Sequence, residues 1–590
     1  MMVSPSRAWY SFKQAVFASA GRFPLVIAST SLLAFIGLII TQFKLPEASK
    51  AVLGQLAMTA ALGVPLFFGL TIFRERNSYS PLIELLGLPP LLAYFLMVKE
   101  PLFNEPYFYG IQWALLFAGL HLCCAAIGFC FGAETRGFWQ FNRQMFSRFI
   151  IASVYSGVLL AGMEMAIMSA VKLFDLNLKD HIYADAAVII FGFFHPLFFI
   201  SGLPADWTAL DSDSEYPHLM KVFTQIVLAP LVAVFTIILY GYSLRILITK
   251  QWPHGWVALP ILLLSGFGIL AVLLLHPLKD KLQERWARWF TRCFPRALAP
   301  LSLLLLLSVK VRISEYGWTE PRYLGVAASL WLLLWSTVFT FKPASGIRWV
   351  PVSLALVAFA TVLGPFNATS ICRQSQHARF CRMLENCGVL GYVTARPASE
   401  IKLENAQYND LHATLKYLLQ THGTKSVSSI LKPIWKDEWK QSRKGSYSIS
   451  QEILASLWIK RMPQNKGYVS WRLDSSKTLT QSGFTQTSIF GQIRRDFTKK
   501  ATDGAVWLMI EDGALKLGYA QEGPFTAIPL RSMFDALPVE SHYNLSPELL
   551  TVDWTHEGKF FRVVFTELGG TQSIKEEVSI DYCKVVLFTR

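Results

Sequence analysis

Long apolar runs alternate with short polar segments over the first 370 residues, and the alternation then stops. Uncharged runs lie near 23–43, 51–73, 108–133, 149–171, 186–204, 222–244, 255–275, 323–341 and 349–372. Each is long enough to cross a hydrocarbon core of about 30 Å at about 1.5 Å per residue. The pattern predicts a polytopic α-helical membrane bundle over residues 1–372, followed by a soluble, extramembrane domain over residues 373–590.

Two further apolar runs are shorter. Leu85–Val98 contains Pro89 and Pro90, and Ala297–Val309 is followed directly by Lys310. Counting both gives about eleven transmembrane helices, but either run could be a re-entrant segment that enters and leaves on the same side. Because each crossing reverses the side of the membrane, losing one would move everything after it to the opposite side.

The distribution of Lys and Arg between the loops predicts an orientation. With the N-terminus inside and all eleven runs spanning, the inner segments hold 17 basic residues and the outer loops hold 10. Basic residues favour the cytoplasmic side, so we expect a cytoplasmic N-terminus and a C-terminal domain outside. For a bacterial inner membrane, that side is the periplasm. The acidic loop at 205–221 argues against this orientation, although acidic residues weigh little in the rule.

A basic segment at 279–296 precedes one of the short runs. It holds six Lys and Arg residues. Its apolar positions recur at helical spacing, and they are Leu282, Trp286, Trp289, Phe290 and Cys293. This pattern is typical of an amphipathic helix that lies on a leaflet with anionic headgroups. We therefore expect an interfacial helix on the inner leaflet.

Composition and charge favour the membrane class and argue against nucleic acid as a partner. Hydrophobic residues make up 53% of the chain and charged residues 16%. The net charge of +15 is spread evenly, with 27 basic and 18 acidic residues up to residue 370, and 28 and 22 after it. Such an even excess suits anionic lipid headgroups better than a nucleic-acid surface.

Sequence motifs for a cofactor, a metal or a catalytic nucleophile are missing. No Walker A, H-E-x-x-H or G-x-S-x-G pattern occurs, and none of the eight cysteines forms C-x-x-C. We therefore predict no cofactor and no metal site. Asp211, Asp213 and Glu215 could hold a divalent cation, but a solvated acidic loop is the favoured interpretation. Four cysteines could form disulfides in an oxidising compartment, and they are Cys372, Cys381, Cys387 and Cys583.

Three ionisable residues lie inside apolar runs. Glu164 is midway along 149–171, His195 stands beside Pro196, and His121 lies within 108–133. Ionisable groups in a bilayer are costly, so a proton or cation relay is one hypothesis. The other is that each side chain is hydrogen-bonded to a neighbouring helix and only fixes packing. We favour packing for all three.

The densest polar stretch of the membrane half separates two apolar runs. Its candidate residues are Arg312, Glu315, Tyr316, Thr319, Glu320, Arg322 and Tyr323. One interpretation is a site at the membrane–water interface for a phosphate or a lipid headgroup. The other is an ion-paired corner that locks two spans together. We favour the corner, because half-buried ion pairs more often fix geometry than perform chemistry.

This stretch resembles the signature of the bacterial membrane proteins known as domain of unknown function family 4153. The motif is an Arg, then Tyr-Gly-x-Thr-Glu, then Arg-Tyr opening a Trp-containing span, here Arg312, Tyr316–Glu320, Arg322, Tyr323 and Trp331. Other pieces resemble the family at Gly255-Trp256, at Gly364-Pro365 with Ser375, Gln376 and Arg379, and at Leu415–Gly423. The resemblance implies a multi-pass bacterial membrane protein with no assigned activity. It also makes the junction around residue 370 a candidate functional region.

The tail is expected to be an α+β domain, with helices first and strands later. Predicted helices lie at 373–397, Glu404–Gln420, Lys425–Trp435 and Gln451–Met462. Predicted strands lie at Tyr468–Leu473, Ala505–Ile510, Leu515–Tyr519, Phe560–Thr566 and Val578–Thr589.

Three functional hypotheses remain open. The preferred one is a non-enzymatic envelope component, either a transporter or a scaffold that binds an envelope protein partner through its tail. The second is a membrane-embedded enzyme acting on a lipid or lipid-linked substrate near Arg312–Tyr323. The third is a membrane sensor. An enzyme should present a convergent acid, base or nucleophile set, and a sensor should carry an inner output module, whereas the sequence indicates neither.

Overall fold

The structure is a computed structural model. It describes residues 17–98, 106–129, 135–179, 181–204, 206–213, 215–250, 257–279, 281, 284–342, 346–389, 400–432, 435–436, 439, 446–462, 466–473, 486–494, 498–500, 507–511, 514–518, 526–528, 530, 533, 542–556, 558–573 and 579–589. Within these residues, the chain forms two compact units, one of residues 1–397 with 411–453 and one of residues 398–410 with 454–590. The boundary predicted at 372/373 therefore does not coincide with the division into compact units.

The first unit is almost entirely helical. Its helices are α1 (Pro24–Gln42), α2 (Glu47–Asn77), α3 (Leu88–Met97), α4 (Pro106–Ala126), α5 (Thr135–Phe174), α6 (His181–Ile189), α7 (His195–Ser201), α8 (Trp207–Ser212), α9 (His218–Val222), α10 (Ala229–Thr249), α11 (Ala258–Leu275), α12 (Arg285–Tyr316), α13 (Glu320–Phe341), α14 (Trp349–Val362), α15 (Ala368–Asn386), α16 (Asn405–His422), α17 (Lys425–Ser428) and α18 (Ser446–Ser456). Helices α16 and α18 are divided between the units, because the first residues of α16 and the last residues of α18 belong to the second unit.

The predicted membrane class is confirmed. Among the described residues, nine helical segments are long and apolar enough to cross a membrane. Two shorter apolar helices, Pro81–Met97 and Trp349–Val362, complete the set. The first of them begins as a 3-10 turn at Pro81–Gly87.

Two helix boundaries differ from the expectation. The basic segment at 279–296 is not a separate helix, because α12 runs continuously from Arg285 through Pro295 and Pro300 to Tyr316. The last predicted run, 349–372, is interrupted after α14, where Leu363 is extended and Gly364 has φ +84°. Pro365 cannot donate a main-chain hydrogen bond, which also disfavours a continuous helix. The next helix, α15, starts with Asn367 accepting a hydrogen bond from the Ser370 amide at 2.8 Å.

Two spans contain a widened π turn just before a proline. The turn Ile190–Phe194 joins α6 to α7 two residues before Pro196, and His195 donates its amide to the carbonyl five residues back. A proline ring clashes with the carbonyl four residues earlier in a regular α-helix and offers it no hydrogen bond. Widening the turn relieves this conflict and rotates the residues that follow it. The turn Phe223–Leu228 repeats the arrangement before Pro230.

One end of the bundle, the Arg22 end, is joined by ion pairs between side chains. The pairs are Arg22–Glu75 (2.7 Å), Arg74–Glu84 (2.8 Å), Arg76–Asp211 (2.6 Å), Arg143–Asp213 (3.4 Å) and Lys221–Glu284. Arg22 also donates to the carbonyl of Pro204 at 2.8 Å, and Arg348 to that of Phe129 at 3.2 Å. Asp211 and Asp213 of the acidic loop are thus paired with arginines, whereas Glu215 is exposed.

The opposite end, the Tyr316 end, is joined mainly by neutral groups. Its contacts are Thr41–Asp185 (2.5 Å), His181–Asp185 (2.9 Å), Gln112–Thr369 (2.9 Å), Tyr323 to the carbonyl of Phe366 (2.8 Å), Gln376 to the carbonyl of Tyr316 (2.8 Å) and Gln55 to the carbonyl of Val98. Each short apolar helix runs from one end to the other. The first starts near Glu84 and finishes at Val98, and α14 starts beside Arg348 and leads to Phe366.

The second unit contains the β-sheets. Its strands are β1 (Ile401–Leu403), β2 (Ile459–Arg461), β3 (Lys466–Leu473), β4 (Gln486–Arg494), β5 (Thr498–Lys500), β6 (Trp507–Glu511), β7 (Ala514–Gly518), β8 (Thr526–Ala527), β9 (His542–Leu545), β10 (Thr551–His556), β11 (Lys559–Ser573) and β12 (Ser579–Thr589). The largest sheet has the order β4-β12-β11-β3-β9, with β10 also paired to β11. Strands β5 to β8 form a four-stranded sheet, and β1 pairs with β2 in parallel.

Several predicted tail elements change. The helix expected at Lys425–Trp435 is a single turn at Lys425–Ser428, and the one expected at Gln451–Met462 is α18, followed by strand β2. Every described cysteine is a free thiol, including all four for which a disulfide was considered. Cys130 lies outside the described residues.

Candidate functional site

The polar stretch between α12 and α13 forms a tight corner clamped by α15. Gly317 has φ +73°, which favours glycine, and a Cβ there would lie 2.8 Å from the Gln376 amide nitrogen. Buried Gln376 donates to the carbonyls of Tyr316 at 2.8 Å and Trp318 at 2.9 Å. The Ser375 hydroxyl accepts from the Trp318 amide at 3.0 Å. Two of the three predicted junction residues, Ser375 and Gln376, therefore satisfy main-chain groups of the predicted polar stretch.

Arginines surround the Tyr316 ring at this corner. Arg322 donates to the carbonyls of Tyr316 at 3.2 Å and Gly317 at 2.7 Å, and Arg379 donates to that of Tyr316 at 3.2 Å. Their guanidinium carbons lie 5.4 and 5.6 Å from the ring centroid. Arg312 and Arg379 are close enough for their charges to repel Arg322. Arg322 and Arg379 thus bind main-chain oxygens and an aromatic face at the corner.

Glu320, the first residue of α13, is buried and meets two residues from α16. Tyr417 donates its hydroxyl to Glu320 Oε2 at 2.5 Å. His422 Nε2 lies 3.4 Å from Glu320 Oε1 and 3.4 Å from the Tyr417 hydroxyl. Glu320 is only 3% exposed, so this contact anchors the second half of α16 to the start of α13.

The environment of this contact favours neutral side chains on α16. Burial, followed by the positive charge of Arg373, lowers the pKa of His422 to about 4. Burial, followed by the negative charge of Glu320, raises the pKa of Tyr417 above its usual range. The pKa of the nearby buried Cys372 thiol is raised by the same two causes. At neutral pH, His422 is therefore an uncharged imidazole and Tyr417 an uncharged hydroxyl.

The structure brings together most residues predicted for this site. Arg322, Tyr323, Gln376 and Arg379 all hold main-chain carbonyls at the corner. Glu315 is exposed, and the Thr319 side chain makes no capping hydrogen bond to α13.

Tyr417, His422 and Thr414 are site residues that were not singled out from the sequence. Thr414 is 3.4 Å from the Arg379 guanidinium. The only sequence signal was the family-like segment Leu415–Gly423, which contains Tyr417 and His422.

A separate cavity of about 840 Å³ lies within the helical bundle. Its wall is mostly apolar and draws on α1, α2, α4, α5, α7, α9, α11, α13 and α14. Its polar lining residues include His121, Asn142, Arg143, His195 and Ser265. Such a volume falls within the range of small-molecule sites, about 300–1,000 Å³.

The two intramembrane histidines line this cavity, but Glu164 does not. His121 Nδ1 is 2.8 Å from the Phe117 carbonyl one turn earlier, and His195 Nε2 is 3.1 Å from the Ser153 hydroxyl. Glu164 is half-buried on α5 between exposed methionines. It lies eleven residues beyond Ser153, about 16 Å along the helix. The bond of His195 joins it to a neighbouring helix, as the packing interpretation expects, whereas the bond of His121 lies within its own helix.

Metal-ligand geometry is not found in the described part of the chain, where no group of three or more His, Cys, Asp or Glu side chains is suited to an ion. Asp211 binds Arg76 and Asp213 binds Arg143. The arginines therefore compensate the negative charges that a bound cation would need.

The helices and their two polar ends define a multi-pass α-helical membrane protein with a β-rich C-terminal region. The chain belongs to the family described as Domain of unknown function (DUF4153), which matches residues 24–380. The match contains the corner motif and Ser375, Gln376 and Arg379, and it reaches further towards the N-terminus than the resemblance indicated. It ends before Leu415–Gly423.

The chain is also similar to an uncharacterised protein of Pasteurella multocida (strain Pm70). The two are 23% identical over 338 residues, which cover 56% of this chain and 55% of the relative. The chain thus spans about half the length of that relative. No solved structure matches this protein.

Proposed function

We propose that this protein is a non-enzymatic component of a bacterial inner membrane, a transporter or partner-binding scaffold whose C-terminal domain lies in the periplasm. The observation that carries the proposal is the sorting of loop contacts into two ends. An alternating path of eleven crossings requires such a sorting, because every second loop must lie on the same side of the bilayer.

Charge supports a cytoplasmic position for the Arg22 end. That end gathers Arg22, Arg74, Arg76, Arg143, Lys221 and Arg348. Basic residues close to spans favour the cytoplasmic side, where the inner leaflet is also rich in anionic headgroups. The pairing of Asp211 and Asp213 with arginines removes the objection that an acidic loop raises against this orientation.

The exit of the chain supports a periplasmic C-terminal domain. Helix α14 begins beside Arg348 at the Arg22 end, and the chain then reaches Phe366 and Thr369 at the Tyr316 end. If the Arg22 end is cytoplasmic, the chain leaves the bundle on the periplasmic side. A domain there is available to an envelope protein partner.

The chemistry of the corner supports a non-enzymatic role. Glu320, Tyr417 and His422 are the observation that favours an enzyme, because three titratable groups lie within 3.4 Å of one another. However, none of them lines the cavity, and Glu320 is almost fully buried. An acid or base needs hydrogen-bond access to a substrate, which this closed arrangement does not offer.

Reporter fusions to the full-length chain test the orientation. Alkaline phosphatase fused after Arg590 should be active, because it folds in the periplasm, and a fluorescent protein fused there should be dark. The matched control is the same two reporters inserted at residue 344, between α13 and α14. There the phosphatase should be inactive and the fluorescent protein should be bright. Fluorescence at the C-terminus together with phosphatase activity at residue 344 would overturn the proposal.

A further inference from the structure

We propose that the cavity of about 840 Å³ binds a membrane lipid, with one acyl chain inside the bundle and an anionic headgroup at Arg143. This inference goes beyond the proposed function, since it concerns the inner surface of the bundle and does not depend on the side of the C-terminal domain.

The wall of the cavity selects an apolar occupant. Phe68, Phe199, Leu273 and Leu354 are among its lining side chains, and they come from four different parts of the bundle. The apolar part of this wall offers no substitute for the water around a hydrated ion or a sugar, so desolvation of a polar solute there would be costly. An alkyl chain loses little on transfer from the bilayer, and it gains close contacts in a shaped cavity.

The cavity can be reached from the bilayer. Phe146 and Phe149 on α5 line it and are 53% and 49% exposed. Leu270 on α11 is likewise both exposed and part of the lining. In a spanning bundle these surfaces face lipid, so an acyl chain can enter sideways without passing through water.

One end of the cavity carries a positive charge at the level of the headgroups. Asn142 and Arg143 line it there, on the stretch of α5 that belongs to the Arg22 end. Arg143 Nη2 is 3.4 Å from Asp213, and Arg143 Nε donates to Gln140 Oε1 at 2.6 Å. A guanidinium that lines an apolar cavity can form paired hydrogen bonds with the oxygens of a phosphate.

The two histidines are compatible with a lipid chain. Each has a ring nitrogen within hydrogen-bond distance of a protein oxygen, on Phe117 for His121 and on Ser153 for His195. The edge of the Phe149 ring also packs against His195 at 5.5 Å between centroids. The histidines therefore need no water-filled path, and they add two polarisable rings to the wall.

Photolabelling can locate the lipid directly. The full-length protein would be placed in phosphatidylcholine nanodiscs that contain phosphatidylglycerol with a diazirine near the end of one acyl chain. After irradiation, mass spectrometry should find the label on cavity residues of α4, α7 and α11. Labels confined to outward residues such as Leu247 and Ile248 on α10 would overturn the proposal without any variant.

A matched pair of glycine variants tests the cavity itself. Gly266 lines the cavity and Gly241 does not, and a Cβ added at either meets nothing within 4 Å. Gly266→Phe should reduce cavity labelling about tenfold, which corresponds to about 1.4 kcal/mol of lost binding. Gly241→Phe should leave it unchanged. Equal labelling in both variants would contradict the proposal.

The headgroup contact is tested by competition. Unlabelled phosphatidylglycerol should displace the probe more effectively than unlabelled phosphatidylcholine, and Arg143→Gln should remove this preference while chain labelling persists. Equal competition by the two lipids in the wild type would exclude the headgroup contact.

Discussion

At the Arg22 end the helices are joined by pairs of charged side chains, whereas at the Tyr316 end most of the contacts between helices involve a neutral group. Arg22 binds Glu75 through two contacts of 2.8 and 2.7 Å. At the other end, Arg322 binds carbonyl oxygens and Glu320 binds a tyrosine hydroxyl. Substitutions should therefore destabilise the two ends in different ways. Removing one charge at the Arg22 end leaves its partner charge unpaired. Removing one side chain at the Tyr316 end leaves main-chain carbonyls without their hydrogen-bond donor.

The largest effect is expected from Glu75→Gln. Arg22 and Glu75 side chains are only 17% and 18% exposed, so the change leaves a poorly solvated guanidinium without its carboxylate. We expect the free energy of unfolding, measured by titration with sodium dodecyl sulfate, to fall by about 3 kcal/mol. The double variant Arg22→Gln, Glu75→Gln removes both charges and should cost less than the single one. A single-variant loss below about 0.5 kcal/mol would mean that the pair behaves as a surface pair.

A smaller loss is expected from Gln376→Ala at the Tyr316 end. The change removes the hydrogen-bond donor from two carbonyls of the corner, in a position that is 2% exposed. The free energy of unfolding should fall by about 2 kcal/mol. Gln420→Ala, at an exposed position of α16, is the matched control and should be neutral. Equal effects of the two variants would show that the clamp contributes nothing.

The smallest effect concerns pH and His422. Its folded pKa of about 4 is below the ordinary value of 6.5, so the fold favours the neutral imidazole. Stability from this group is complete above pH 6.5 and is lost as the pH falls towards 4. Between pH 7 and 5.5 the wild type should lose about 1 kcal/mol more than His422→Gln. If both lose the same amount, His422 does not carry this pH dependence.

The sequence was sufficient to predict the membrane-spanning helices and many of the residues that form the corner between α12 and α13. Long apolar runs indicate directly which segments lie in lipid, and the polar stretch at 312–323 is easily recognised between two of them. Ser375, Gln376 and Arg379 were singled out through family-like motifs, and all three meet the corner. The contact of Tyr417 with Glu320 could not be predicted, because it joins residues 97 positions apart. The residues around Glu320 contain no pattern that identifies Tyr417 as its partner, and the residues around Tyr417 contain none that identifies Glu320.

Tail elements were harder to predict than spans. Strand β4 was missed because its sequence, QTSIFGQIR, mixes polar residues and a glycine with few β-branched ones. The helix predicted across 451–462 failed at Ile459–Arg461, which instead pairs with Ile401–Leu403. A short segment takes the structure of the partner with which it pairs, and that partner is distant in sequence.

The buried Cys372 thiol makes the corner observable in a living membrane. Its side chain is fully enclosed, and burial and the negative charge of Glu320 both raise the pKa of its thiol. An alkylating reagent therefore finds neither an accessible sulfur nor a thiolate while the corner is closed. Cys381 and Cys387 on the same stretch are half-exposed and supply an internal reference. The ratio of modification at Cys372 to that at the other two therefore measures how often α15 separates from the α12–α13 corner, a local opening that bulk unfolding does not detect.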